Sequence, residues 1–122
     1  MSDKKENTEL EVVQTEGIET EENPNLFQLR KPIDRMGTAI HSLILDFDSL
    51  LLEDMLAAER DFEKMVGPQT VAQTPVKAFN TAYQMAVAAR ASGIPVEFFK
   101  GMSARDASSI GLRVQGFLLG GE

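Results

Sequence analysis

Apolar and polar positions alternate with a period of two in only one part of this chain. In NLFQLRKP, Phe27 and Leu29 alternate with Gln28 and Arg30, the pattern of a strand with one buried face. Pro32 has no N–H to give to a ladder, so it is expected to end this strand or to mark it as a sheet edge. IDRMG then supplies a turn, with Gly37 at the position that needs a positive φ. The return strand, Thr38 to Phe47, places Ala39, His41, Leu43, Leu45 and Phe47 on one face and Ile40, Ser42, Ile44 and Asp46 on the other. Both faces carry apolar groups, which predicts that one side meets the rest of the chain and the other meets a second chain.

Beyond the hairpin the period becomes helical. DFDSLLLEDMLAAERDFEKMVG predicts a helix over about 49–66, capped by Asp48 or Ser49, with Leu52, Met55, Leu56, Phe62 and Val66 on one stripe and Glu59 interrupting it. Gly67-Pro68 stops it. TPVKAFNTAYQMAVAARASG predicts a second helix over 75–92, with a Thr74 cap, Pro75 at the first helical position, and Val76, Phe79, Tyr83, Ala86 and Ala89 turned inward. The last inward position is Ala89 or Arg90. Its alanines make this helix slim, so another helix can approach closely. IPVEFFKGM reads as one helical turn. SARDASSIGLRVQGFLL then opens with a capping box, Ser103 with Asp106, and predicts a helix over 104–119 with the stripe Ala107, Ile110, Val114, Phe117 and Leu118. The fold class is therefore mainly α with an N-terminal β-hairpin (α+β), residues 26–122 forming a single domain with the hairpin at 26–47.

Charge changes the picture at one end. The net charge is −7, and residues 1–25 hold eight acidic side chains against Lys4 and Lys5, which leaves −1 for the remaining residues. This stretch has few apolar side chains and no aromatics, so it is expected to be a disordered acidic leader, 1–25. Leu10, Val12, Val13 and Ile18 are its possible contacts with a partner. A neutral body with scattered basic residues is a poor ligand for phosphate chains, so no nucleic acid is expected as a partner. Zero cysteines exclude disulfides and thiolate chemistry. No run reaches membrane-spanning length and no signal peptide opens the chain, so a soluble intracellular protein with no membrane partner is expected.

Candidate chemistry is sparse. His41 is the one histidine, set among leucines with no carboxylate placed by spacing to orient it, and it reads as structural. Asp46 and Asp48 are explained by capping and turn formation better than by a cation. There is no glycine-rich phosphate loop. No catalytic, cofactor-binding or metal-binding residue is assigned, no cofactor is expected, and the chain reads as a non-enzyme. The apolar residues near chain punctuation are the candidates for partner binding: Phe98 and Phe99 in the short segment between helices, Met85 and Met102 as adaptable anchors, and Leu118 and Leu119 before the closing glycines.

The order of these pieces resembles a known family. An L-x-x-P-I-x-x-x-G entry (Leu29, Pro32, Ile33, Gly37) leads into LEDMLAAE with Asp54 and Glu59, then an alanine-rich helix, then MSARDASSIGLRVQGFLLGG with Asp106, Val114, Phe117 and Leu118. Over about residues 26–120 this resembles the tail assembly chaperones of long-tailed bacteriophages and prophages. It departs from them at DFDSLL, where a proline-containing helix entry is expected, and in its acidic leader. The resemblance implies a chaperone that binds and solubilises the tape measure protein in the host bacterial cytoplasm and is absent from the mature virion. The tail tube protein and a frameshifted longer form of the chain are further partners it implies, and a homo-oligomer is expected, the hairpin offering an edge strand to a neighbouring copy. The alternative is a small structural tail or head–tail connector protein.

Overall fold

The computed structural model describes residues 23–120. The acidic leader lies outside the described residues except for Asn23–Asn25, where Asn25 N–H donates to Asn23 Oδ1 (2.8 Å) and Leu45 N–H donates to Asn25 O (2.9 Å). Strands β1 (Leu26–Arg35) and β2 (Thr38–Ile44) are followed by helices α1 (Leu52–Val66), α2 (Pro68–Ala72), α3 (Thr81–Ser92) and α4 (Ala104–Gln115). Turns of 3-10 helix occupy Phe47–Ser49, Lys77–Phe79 and Val96–Gly101, and a π turn, Gly116–Gly120, follows α4. The protein is mainly α with an N-terminal antiparallel hairpin.

Pro32 does not end the first strand. β1 runs through it to Arg35, and the turn contracts to Met36-Gly37, with φ of 53° and 91°. Positive φ at both residues gives the turn the twist of the flanking strands, although a left-handed methionine costs about 1 kcal/mol. The proline is accommodated by a large bulge. Gln28 pairs with Ser42 and Ile33 with Ile40, so Leu29 to Pro32 face only His41. A bulge of this size orphans backbone donors. Asp106, in the first turn of α4, takes them: Arg30 N–H donates to its Oδ1 (3.1 Å) and Oδ2 (2.9 Å), and Lys31 N–H to Oδ2 (3.3 Å). Its own N–H donates to Ser103 Oγ (3.1 Å), the cap foreseen from sequence, but its carboxylate reaches β1 and not back to Ser103. Asp106 is 1% exposed.

The bulge also breaks the simple alternation of β2. Leu43 and Leu45 are buried as expected, His41 and Ala39 are exposed, and Ile40 packs against the core.

The first helix starts at Leu52, three residues later than expected. Ser49 is occupied elsewhere, its hydroxyl donating to Asp46 O (3.0 Å), and the helix start is satisfied by Asp54, which accepts from Leu51 N–H (2.9 Å). Likewise α3 starts at Thr81 and not at Pro75. Thr74 is drawn to the end of α2, where its hydroxyl donates to Thr70 O (2.6 Å), and Asn80 is the cap, its Oδ1 accepting from Ala82 N–H (2.9 Å) and Tyr83 N–H (3.3 Å). α4 stops at Gln115, short of the expected 119, where Gly116 loosens the ladder into the π turn.

α3 is the central helix, buried without a break from Tyr83 to Ala89. A helix apolar on all sides belongs in a core, and its alanines let α1 and α4 pack against it. The chain ends of α1 and α3 run in opposite directions: Phe62 meets Tyr83 edge-on at 5.6 Å, and Arg90, near the end of α3, donates to Asp54, at the start of α1 (2.7 Å). Both charges also sit at the helix ends that favour them. The hairpin closes one side, with Phe27, Leu29, Ile33, Leu43 and Leu45 joining Ala58, Phe62, Ile110 and Val114 in one core.

Candidate functional site

The six residues expected to bind a partner are dispersed. Phe99, 5% exposed, and Met85 are buried in the core and unavailable at the surface. Phe98 is half-buried beneath the Arg35 guanidinium, 5.5 Å from its ring centre. Met102 and Leu118 are half-buried against the core, and Leu119 is exposed. The short Val96–Gly101 turn buries one ring of the Phe98–Phe99 pair and lays the other along the hairpin.

Apart from Leu119, the exposed large apolar side chains lie elsewhere. Phe79 is 63% exposed and Leu112 67%. They flank a groove of about 460 Å3 between the Lys77–Phe79 turn, the start of α3 and the outer face of α4. Ala107 and Gly111 keep its floor low, and Thr81, Ser108 and Gln115 supply an uncharged rim. No charged residue lines it, in a chain of which 25% is charged.

The groove is held by a polar contact beneath it. Gln84 is buried, and its Nε2 donates to Ala78 O (2.8 Å), which fixes the turn that carries Phe79. Gly111 leaves room for this side chain, because a Cβ on residue 111 would overlap Gln84 Oε1. Two residues from different helices thus set the position of one exposed ring.

A second set of exposed apolar groups, Leu51, Leu52 and Leu56, lies at the start of α1. Of the stripe expected inward, Phe62 is buried and Met55 and Val66 pack against the core, whereas Leu52 and Leu56 stand out and Ala58 is buried beside them. A cleft of about 560 Å3 lies between Asn25, Leu45, Phe47 and Arg113. Its walls are committed: Phe47 stacks on Phe117 at 5.2 Å, and the Arg113 guanidinium sits 5.1 Å above the Phe27 ring.

Titratable groups assemble no reactive centre in the groove. Asp54 is held below the ordinary carboxylate range by the Leu51 N–H and by Arg90. Burial pushes the Tyr83 hydroxyl up, with a smaller push from Glu59. Both lie between α1 and α3, away from the groove lining. Among the described residues no three His, Asp or Glu side chains are placed to share a metal ion, and no helix is long and apolar enough to cross a membrane.

Sequence reasoning missed Phe79 because it extended α3 back to Pro75, which turned that ring inward. Asn80 was the available signal: as a cap it leaves Phe79 outside the helix. Leu112 was legible, since it falls off the stripe of Ala107, Ile110 and Val114. Comparison of the chain with protein-family models, with curated proteins and with solved structures gives no match.

Proposed function

We propose that this protein is a phage tail assembly chaperone that receives an apolar helical segment of the tape measure protein in the Phe79–Leu112 groove. On this reading it is not an enzyme. It acts in the host bacterial cytoplasm, keeps its client dispersed until tail tube subunits polymerise around it, and leaves before the particle is complete. The observation that carries the reading is the pair of large apolar side chains standing in water on either side of a groove with no charged lining. Exposed apolar surface of this kind favours association, and a helix docks in such a groove through anchors spaced one turn apart. An uncharged rim imposes little sequence selection, which suits a client bound in many copies along its length. The family resemblance of Leu29-x-x-Pro32-Ile33, Asp54, Glu59 and Asp106 supplies the client's identity.

Co-expression with a tape measure protein tests the proposal. The unmodified chain is expected to keep the client in the supernatant and to co-purify with it, and Phe79→Asp with Leu112→Asp to lose both while remaining folded by circular dichroism. A client that stays dispersed with the double variant contradicts the groove. Stoichiometric presence of the chain in purified particles would instead identify a structural tail component.

A further inference from the structure

A hairpin has two outer edges, and here they are treated differently. Along β1 the edge is closed. Arg30 and Lys31 give their N–H groups to Asp106, Pro32 has none to give, and the Val96–Gly101 turn packs alongside. β1 also carries Arg30, Lys31, Asp34 and Arg35, charges that discourage a further strand.

Among the described residues the edge of β2 is open. Its sequence, TAIHSLI, contains no acidic residue, no lysine or arginine and no proline. Among the described residues, no backbone group of Thr38–Ile44 is hydrogen-bonded outside the hairpin; the nearest such bond, Asp46 N–H to Ala91 O (3.3 Å), lies beyond the strand's end. Ile44 stands 42% exposed beside it. Among the described residues this edge carries no charge or proline, and the outward-facing backbone groups, those of alternate residues, form a template for another strand.

We propose that the occupant is β2 of a second copy, paired antiparallel about a twofold axis to give a four-stranded sheet in the order β1-β2-β2-β1. A two-stranded sheet is marginal by itself and gains from extension. Two β2 strands meet with no pair of like formal charges, which makes the edge self-complementary as a twofold interface must be. The chain's own acidic leader is the competing strand, but β2 offers no cation to its eight carboxylates. No residue of β2 lines the groove, and this interface does not depend on the identity of the client.

The full chain is examined by sedimentation equilibrium over a concentration series and by a cysteine scan, for which the absence of native cysteine leaves each introduced thiol unique. The chain, 13.4 kDa, is expected to approach twice that mass. Under mild oxidation, single cysteines at one or two positions within Thr38–Ile44 are expected to form disulfide-linked dimers, since only residues at the axis come within bonding reach, and Arg30→Cys and Lys31→Cys are not. Ala39→Lys with His41→Lys, both at exposed side chains, should return the chain to monomer with its circular dichroism unchanged. A chain that stays monomeric at every concentration overturns the proposal, and protected β2 amides in that monomer would give the edge to the leader. Cross-links through β1, or a dimer that survives both lysines, overturn it equally. Phe79→Asp with Leu112→Asp should leave the dimer intact, so that loss of client binding and loss of the dimer are read separately.

Discussion

α4 serves two regions built on opposite plans. At its first turn, Asp106 is sealed from water and takes the backbone donors that the β1 bulge releases, while Ser103 caps the same turn. Farther along, Leu112 stands in water across from Phe79, and only an uncharged rim surrounds them. The first region spends a buried carboxylate, a costly group, to join the hairpin to the helices. The second leaves large apolar groups where they contribute little to the fold. Side chains that hold the fold together are thus separate from those available to a partner, and substitutions should tell the two apart.

The closed region should show the largest effect. Asp106→Ala leaves the Arg30 and Lys31 N–H groups without an acceptor and is expected to lower stability by about 3 kcal/mol, read as a fall in the urea midpoint with an unchanged slope. Asp106→Asn, which keeps one oxygen, should recover part of the loss. Next comes the contact under the groove. Gly111→Ala drives a Cβ into Gln84, a strain of about 2 kcal/mol offset by about 1 kcal/mol of helix propensity, so a modest net drop in melting temperature is expected. In a Gln84→Ala background the same change should become neutral or favourable, and a double-mutant cycle measures that coupling.

The open region should barely register in stability. Phe79→Ser and Leu112→Ser are each expected to shift unfolding by no more than about 0.5 kcal/mol, and a larger loss by denaturation would show that these side chains belong to the core. The Asp54–Arg90 link between α1 and α3 has an effect confined to acid. Asp54 titrates below its unfolded value because the Leu51 N–H and Arg90 favour its charged form. As pH falls through the ordinary carboxylate range the unfolded chain takes up the proton first, so stability declines there toward the lowered folded value. Asp54→Asn should remove that part of the pH dependence, seen in melts from neutral to acidic pH, and leave the rest.

Local features of the fold were legible in the sequence. Phe27 and Leu29 announced a one-faced strand, Gly37 its turn, and Ser103 the start of α4. Competition between neighbours was not. Thr74 and Asn80 are both good caps, and which one starts α3 depends on Thr74 being taken by Thr70 O. The bulge around Pro32 depends on Asp106, whose carboxylate is brought to β1 only by the folded chain. Periodicity also says which side chains share a stripe but not which stripe finds a neighbour, so Leu52, Leu56 and Phe79 read as core while standing in water. The apolar groove was out of reach for the same reason: its two anchors come from segments whose adjacency is a tertiary fact.

Hydrogen exchange of the chain with and without a tape measure client examines the groove directly. Added protection is expected in residues 76–84 and 107–115, which carry Phe79 and Leu112, with the amides of Arg30 and Lys31 unchanged. Protection confined to residues 96–102 or to the start of α1, with the groove segments exchanging as in the free chain, would contradict the account.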